Sequence, residues 1–241
     1  MRYKYKSLTL FSLLTTNCLF CNLAQADGAS IDKVYHPYVD AMEHELEYRV
    51  LAQDKQPGLY TSAQIHQLSL GTSFSDRWFG EAYIIGEKSR DGNFEIEAYE
   101  LELKWQLTEQ GEFFADWGLL FEYETETEVD IEEFSVALLT EKEWGRWSGT
   151  ANLFLIQEWG GDIEDELESV LSLQARYRYS SFFEPGLEFY KGQTATGLGP
   201  VIQGDINTGI RKKLHWEAGY ILGLDNDSPD QSLRFLLEFE F

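Results

Sequence analysis

The stretch "YELELKWQL", residues 99–107, alternates without a break. Tyr99, Leu101, Leu103, Trp105 and Leu107 share one parity, and Glu100, Glu102, Lys104 and Gln106 share the other. A strand turns successive side chains to opposite faces, whereas a helix of about 3.6 residues per turn mixes the two sets. This segment is therefore a β-strand with one apolar and one charged face.

The same period recurs along the chain and predicts an all-β fold. "MEHELEYRVL" (42–51) sets Leu46, Tyr48 and Val50 against Glu43, Glu45, Glu47 and Arg49. "IHQLSLGTSF" (65–74) follows, and then "RWFGEAYIIGE" (77–87) opposes Trp78, Ala82 and Ile84 to Glu81 and Glu87. "FFADWGLLFEYE" (113–124) places Asp116, Glu122 and Glu124 on the polar side. "EFSVALLT" (133–140) and "WSGTANLFLIQE" (147–158, with Glu158) continue the pattern, and "SVLSLQARYRY" (169–179) contributes Arg176 and Arg178. "FFEPGLEFY" (182–190, with Glu188) and "GPVIQGDI" (199–206) are the weakest, because Pro185, Pro200 and several glycines interrupt them. "KLHWEAGYIL" (213–222) carries Glu217, and "SLRFLLEFEF" (232–241) carries Arg234, Glu238 and Glu240. The expected strand number is twelve, or ten or fourteen if the two weak segments are divided differently.

Where these faces point follows from the chain's start and its charge. Residues 1–26 combine Arg2, Lys4 and Lys6, an interrupted apolar run and "AQA", which reads as a signal peptide cleaved after Ala26. Cys18 and Cys21 leave with it, so the exported chain holds no cysteine. Removing this segment takes three of the 19 lysines and arginines and none of the 42 acids, which leaves a charge of −26. Such a chain is a poor partner for nucleic acid. Past the signal no apolar stretch is long enough for a membrane helix of about 20 residues, so a bilayer is crossed only by strands of about 9–11 residues in a closed barrel.

The chain's end supports that choice. In "RFLLEFEF" (234–241) Phe235, Leu237, Phe239 and Phe241, preceded by Leu233, occupy one parity up to the final residue. This pattern resembles the C-terminal signal by which bacterial outer-membrane proteins are handed to the barrel-assembly machinery. Taken alternately, the connections are generally shorter in one set and acidic and glycine-rich in the other, which resembles the periplasmic turns and external loops of such barrels. The ending also resembles those of uncharacterised proteobacterial outer-membrane proteins labelled transporters. The resemblance implies a Gram-negative outer-membrane location, with outer-membrane lipid and lipopolysaccharide as surroundings. Trp78, Trp105, Trp147 and Trp216 all lie next to the shorter turns on the apolar parity, as expected of an interfacial girdle.

On this reading Glu45, Glu47, Arg49, Glu81, Glu100, Glu102, Lys104, Asp116, Glu122, Glu124, Arg176, Arg178, Glu188, Glu217, Arg234 and Glu238 line the lumen. They either fill it as a paired network or form a cation-preferring passage, since rings of carboxylates favour cations. An enzyme needs a nucleophile, a base and an orienting group in reach. His44 and His66 fall on the apolar parity, and the segment facing His66 offers no serine, so catalytic residues are not expected. A binding barrel, its acidic loops meeting divalent cations, is the remaining class. Those loops lack a full calcium-loop pattern, and no metal site or cofactor motif is expected. The segment "DGASIDKVYHPYVDA" (27–41) does not alternate, and it either hangs in the periplasm or plugs the barrel that spans 42–241.

Overall fold

Strands that are apolar on one face and charged on the other bury neither face alone, and closing the sheet on itself removes the exposed edges as well. The structure, a computed structural model, describes residues 31–54, 62–88, 92–193, 195–210 and 212–241. The expected signal peptide lies outside them. The described chain forms a closed antiparallel barrel of twelve strands in which each strand pairs with its sequence neighbours. They are β1 His44–Asp54, β2 Ser62–Ser75, β3 Trp78–Lys88, β4 Phe94–Gln106, β5 Asp116–Glu126 and β6 Ile131–Trp144. They continue as β7 Trp147–Gly160, β8 Glu166–Tyr177, β9 Glu184–Lys191, β10 Thr196–Gly209, β11 Lys212–Gly223 and β12 Gln231–Glu240. The seam is antiparallel, with β1 and β12 in unbroken register from Glu45↔Glu240 to Asp54↔Gln231.

The parity read from the sequence is the parity of the wall. Leu101 is 60% exposed on the outside, as are Leu46, Leu70, Leu153, Leu155 and Leu233, whereas Glu47, Arg49, Glu188 and Arg234 are buried within. That inversion of a soluble protein's surface is what a barrel in lipid requires. At the end where β1 begins and β12 finishes, here termed the turn end, the tryptophans pair on the outer face. Trp78 stacks on Trp105 at 4.9 Å, and Trp147 lies 5.0 Å from Tyr177. The opposite end is the loop end.

Three local features depart from plain alternation. A bulge opposite Ile85 and Gly86 inserts Glu97, so that Ala98 points inward and Ile96 outward despite their shared parity. At the β6–β7 turn, residues 145–146 close the hairpin with Gly145 at φ +61°, the left-handed conformation that a two-residue hairpin needs. Near Pro200 the chain packs so closely on β11 that a Cβ at Gly199 would fall 1.9 Å from the Tyr220 carbonyl. The two proline-bearing segments are thus strands, and the count of twelve holds. One expected boundary moves: β5 begins at Asp116, so Phe113 and Phe114 belong to the connection 107–115, which is long for the turn end.

Residues 31–40 run through the barrel's interior. Ile31 lies beside Gly197 and Ile221 near the loop end, Tyr35 packs on Phe154 midway, and Val39 meets Gln106 near the turn end. The chain then reverses into β1 through Met42, at φ 64°. We refer to residues 31–40 as the strap.

Because Leu153 faces outward near the middle of β7, Leu153→Arg is expected to destabilise the barrel by about 2–4 kcal/mol in a bilayer. Urea titration of the protein folded into phosphatidylcholine vesicles measures it, and an unchanged midpoint would mean that this face does not meet lipid.

Candidate functional site

The lumen is built by the inward parity of all twelve strands, and every lumen residue expected from the sequence lies on that side, with Arg178 just past the end of β8. The structure divides them into two walls of opposite character.

The first wall is paired. Arg234, 3% exposed, reaches from β12 to Glu188 of β9 at 2.9 Å, Glu217 of β11 at 3.0 Å and the Tyr190 hydroxyl at 2.7 Å. It also donates to the Asp32 carbonyl of the strap. Lys33 on the strap donates to Glu47 and to the Tyr83 hydroxyl, both at 2.9 Å, and Arg49 donates to Asp32 at 2.9 Å. Toward the turn end His36 sits 2.5 Å from Glu141, which also accepts from Ser148 and lies 3.6 Å from Arg176. Arg178 pairs with Glu143, and His215 bridges Asp205 at 2.7 Å and Glu217 at 3.1 Å. Bonds of this kind offset the cost of burying charge only while every partner is present.

The strap's backbone is satisfied by side chains of the wall. Asn152 of β7 accepts from the Tyr35 amide at 2.8 Å and donates to its carbonyl at 2.9 Å, standing in for a strand neighbour. Gln106 accepts from the Val39 amide at 2.7 Å. The Tyr35 hydroxyl donates to Glu102 at 2.6 Å, and Tyr38 to Asp116 at 2.9 Å.

The second wall is acidic. Glu100, Glu124, Glu133, Glu158 and Glu166 stand directly opposite one another in register across β4 to β8, five carboxylates in a single row. Below it Glu81, Glu102 and Glu122 form a second row that ends at Ser135, which donates to Glu122. Carboxylate oxygens of Glu100, Glu102 and Glu122 lie within 4.8 Å of one another. Among the described residues no lysine or arginine forms an ion pair with Glu100, Glu124, Glu133 or Glu166. Ionised carboxylates placed opposite each other in a sheet repel one another.

Sequence reading missed Glu133, Glu141 and Glu166 as lumen residues, although each follows the inward parity of its strand. It also missed the inward apolar residues Leu120, Ala137, Leu139, Phe154 and Val170, which cluster with Tyr35. His66 faces outward, its Nδ1 2.8 Å from the Tyr48 hydroxyl, and no serine lines the groove around it. His44 lies against Phe241.

At the turn-end rim, ahead of β1, burial and the neighbouring Glu240 hold the Glu43 carboxyl up at about 7. In the loop 224–230, the Ser228 hydroxyl bonds Asp225 and lowers its pKa.

No protein-family model matches the chain, and no curated protein matches its sequence. Solved structures do. A "KdgM porin in complex with disordered oligogalacturonate" aligns with TM-score 0.54 at 10% identity over 82% of this chain and 98% of that one. The COG4313 outer membrane channel from Pseudomonas putida F1 aligns with TM-score 0.57 at 12% identity over 87% and 98%. The translocator domain of the autotransporter NalP from Neisseria meningitidis aligns with TM-score 0.53 at 12% identity over 84% and 89%.

Two predictions follow from this geometry. Arg234→Leu takes the buried guanidinium from Glu188 and leaves Glu217 with His215 alone, and it is expected to cost about 3–5 kcal/mol, measured as the shift in urea unfolding of the vesicle-embedded barrel. For Glu43, the unfolded chain releases its proton near pH 4.5 while the folded one keeps it to about 7. Its contribution to stability therefore falls as pH rises through that window and is level above it. Glu43→Gln is expected to flatten that part of the stability profile, and an unchanged slope between pH 5 and 7 would refute the assignment. By these similarities the chain has the fold of the outer-membrane β-barrels.

Proposed function

We propose that the protein is an outer-membrane channel for small cationic solutes that its own residues 31–40 hold closed. The observation that carries this reading is the row of five glutamates across β4 to β8. A barrel under selection for stability alone gains from a base in such a row, as the opposite wall has at Arg49 and Arg234. Carboxylates set side by side along a polar interior instead supply what a passing cation loses with its water. The fold similarity to a porin and an outer-membrane channel supports the same class.

The strap is suited to the role of a gate because many of its bonds to the wall are polar. Water can replace the bonds of Lys33, Tyr35 and Tyr38 when the segment leaves, which is not true of apolar contacts. A second reading rests on the strap's apolar side chains, since Ile31, Val34, Tyr35 and Val39 are all buried. On that reading the interior is permanently filled and the barrel binds or scaffolds without conducting. In either case residues 1–26 serve export, the outer face meets outer-membrane lipid and lipopolysaccharide, and Phe241 addresses the chain to the assembly machinery.

Planar-bilayer recording separates the two readings. The intact protein is expected to be closed most of the time, and Lys33→Ala with Tyr35→Ala to raise open-channel events at least tenfold. The reversal potential in a salt gradient is expected to show cation preference, lost when Glu124→Gln and Glu133→Gln are added. Bilayers that stay silent with the strap's anchors removed would establish the filled barrel instead.

A further inference from the structure

The outer wall carries a feature that the lumen does not use. On the turn-end half of β6, β7 and β8 the lipid-facing positions Thr140, Gly149, Ala151 and Ala175 are small, and register places them side by side. Larger neighbours stand on either flank, with Trp117 and Phe114 on one side and Leu187 and Phe189 on the other, and they enclose a groove of about 540 Å³. That volume lies within the roughly 300–1,000 Å³ of small-molecule sites. Its walls are almost wholly apolar.

The rim is not. Lys142 opens onto the groove at its turn end, with its Nζ 4.7 Å over the Phe114 ring, and Arg146 follows in the adjoining turn. Among the described residues neither has an ion pair, in a protein of net charge −23. Phe113 and Phe114 are exposed beside them, 58% and 81%, at the level of the outward tryptophans Trp144 and Trp147. Aromatic rings and lysine at this height mark the boundary between hydrocarbon and headgroups.

An apolar trough that lies in the hydrocarbon and ends under two unpaired cations is complementary to one class of molecule, a lipid with an anionic head. We propose that this groove is a binding site for an anionic glycerophospholipid of the leaflet at the turn end. An acyl chain lies over Ala151 and Ala175, beside the Trp144 ring that covers Gly149, and the phosphate sits against Lys142 and Arg146. Thr140 adds a hydroxyl along the trough. The site is independent of whether the lumen conducts.

Native mass spectrometry of the full-length protein tests this, in detergent with equal amounts of phosphatidylglycerol and phosphatidylethanolamine. One retained phosphatidylglycerol per chain is expected. Ala151→Leu fills the trough and is expected to lower retention at least fivefold, whereas Ala82→Leu, on the outer face of β3, leaves it unchanged. Lys142→Ala with Arg146→Ala is expected to remove the preference between the two headgroups. Heat-shifted migration on gels verifies folding, and Thr140→Leu carries the same test if Ala151→Leu does not fold. Retention that is untouched by filling the trough would show non-specific surface attraction and overturn the proposal. So would absence of any retained lipid, or a dimer mass that Ala151→Leu abolishes, since the groove would then seat a second copy.

Discussion

Everything in this molecule depends on the closure of β1 onto β12. In hydrocarbon a backbone amide or carbonyl without a partner costs several kcal/mol, and an open twelve-strand sheet would present two edges of them. The seam pairs Glu45 with Glu240 through to Asp54 with Gln231 and leaves no edge. Closure also fixes register, and register fixes parity, since a slip by one residue would turn every glutamate of β12 toward lipid. Phe241 extends the seam by donating its amide to the His44 carbonyl at 2.8 Å. The apolar band outside and the charged interior are therefore one decision made at the seam.

That decision leaves an interior crowded with ionisable groups, and the chain resolves it unevenly. Arg234, Arg49 and Lys33 neutralise the side formed by β9, β11, β12 and β1, with the strap contributing Asp32 as a shared partner. On the side formed by β4 to β8, Arg176 and Arg178 pair with Glu141 and Glu143 toward the turn end, while among the described residues Glu100, Glu124, Glu133 and Glu166 have no ion pair with a lysine or arginine. The strap meets that side with hydroxyls, Tyr35 to Glu102 and Tyr38 to Asp116, and nearer the turn end with the His36 ring beside Glu141. The interior is thus cross-linked by ion pairs along one wall, and along the other it sets glutamates opposite one another in register.

The barrel was legible because period two is a strong signal over strands of this length, and "YELELKWQL" predicts both its strand and its inward set. The strap's location was not legible, since residues 27–41 alternate nowhere. A trace of it was nevertheless present in strands that break the pattern. Leu119–Leu120, Ala137–Leu138–Leu139 and Leu153–Phe154–Leu155–Ile156 are apolar on both faces. A strand facing lipid on one side and water on the other has no need of that. Their inward members Leu120, Ala137, Leu139 and Phe154 are where Tyr35 packs. The bulge at Glu97 and the late start of β5 escaped because neighbouring strands set them, which a local period does not report.

The charge distribution along the barrel axis extends the same logic. Arg77, Lys104, Lys142, Arg146, Arg176, Arg178, Lys212 and Lys213 all lie toward the turn end, with partners such as Glu109 at 2.7 Å from Arg77 and Glu240 at 2.5 Å from Lys213. At the loop end the described ion pair is Lys191 with Asp225, at 4.0 Å and exposed, a type that contributes about 0–1 kcal/mol. Acids dominate there, including Glu124, Glu126, Glu128, Glu133, Asp162, Glu164 and Glu166. Self-repulsion is therefore concentrated at the end where Ile31 of the strap is seated, and attraction at the end where the strap joins β1.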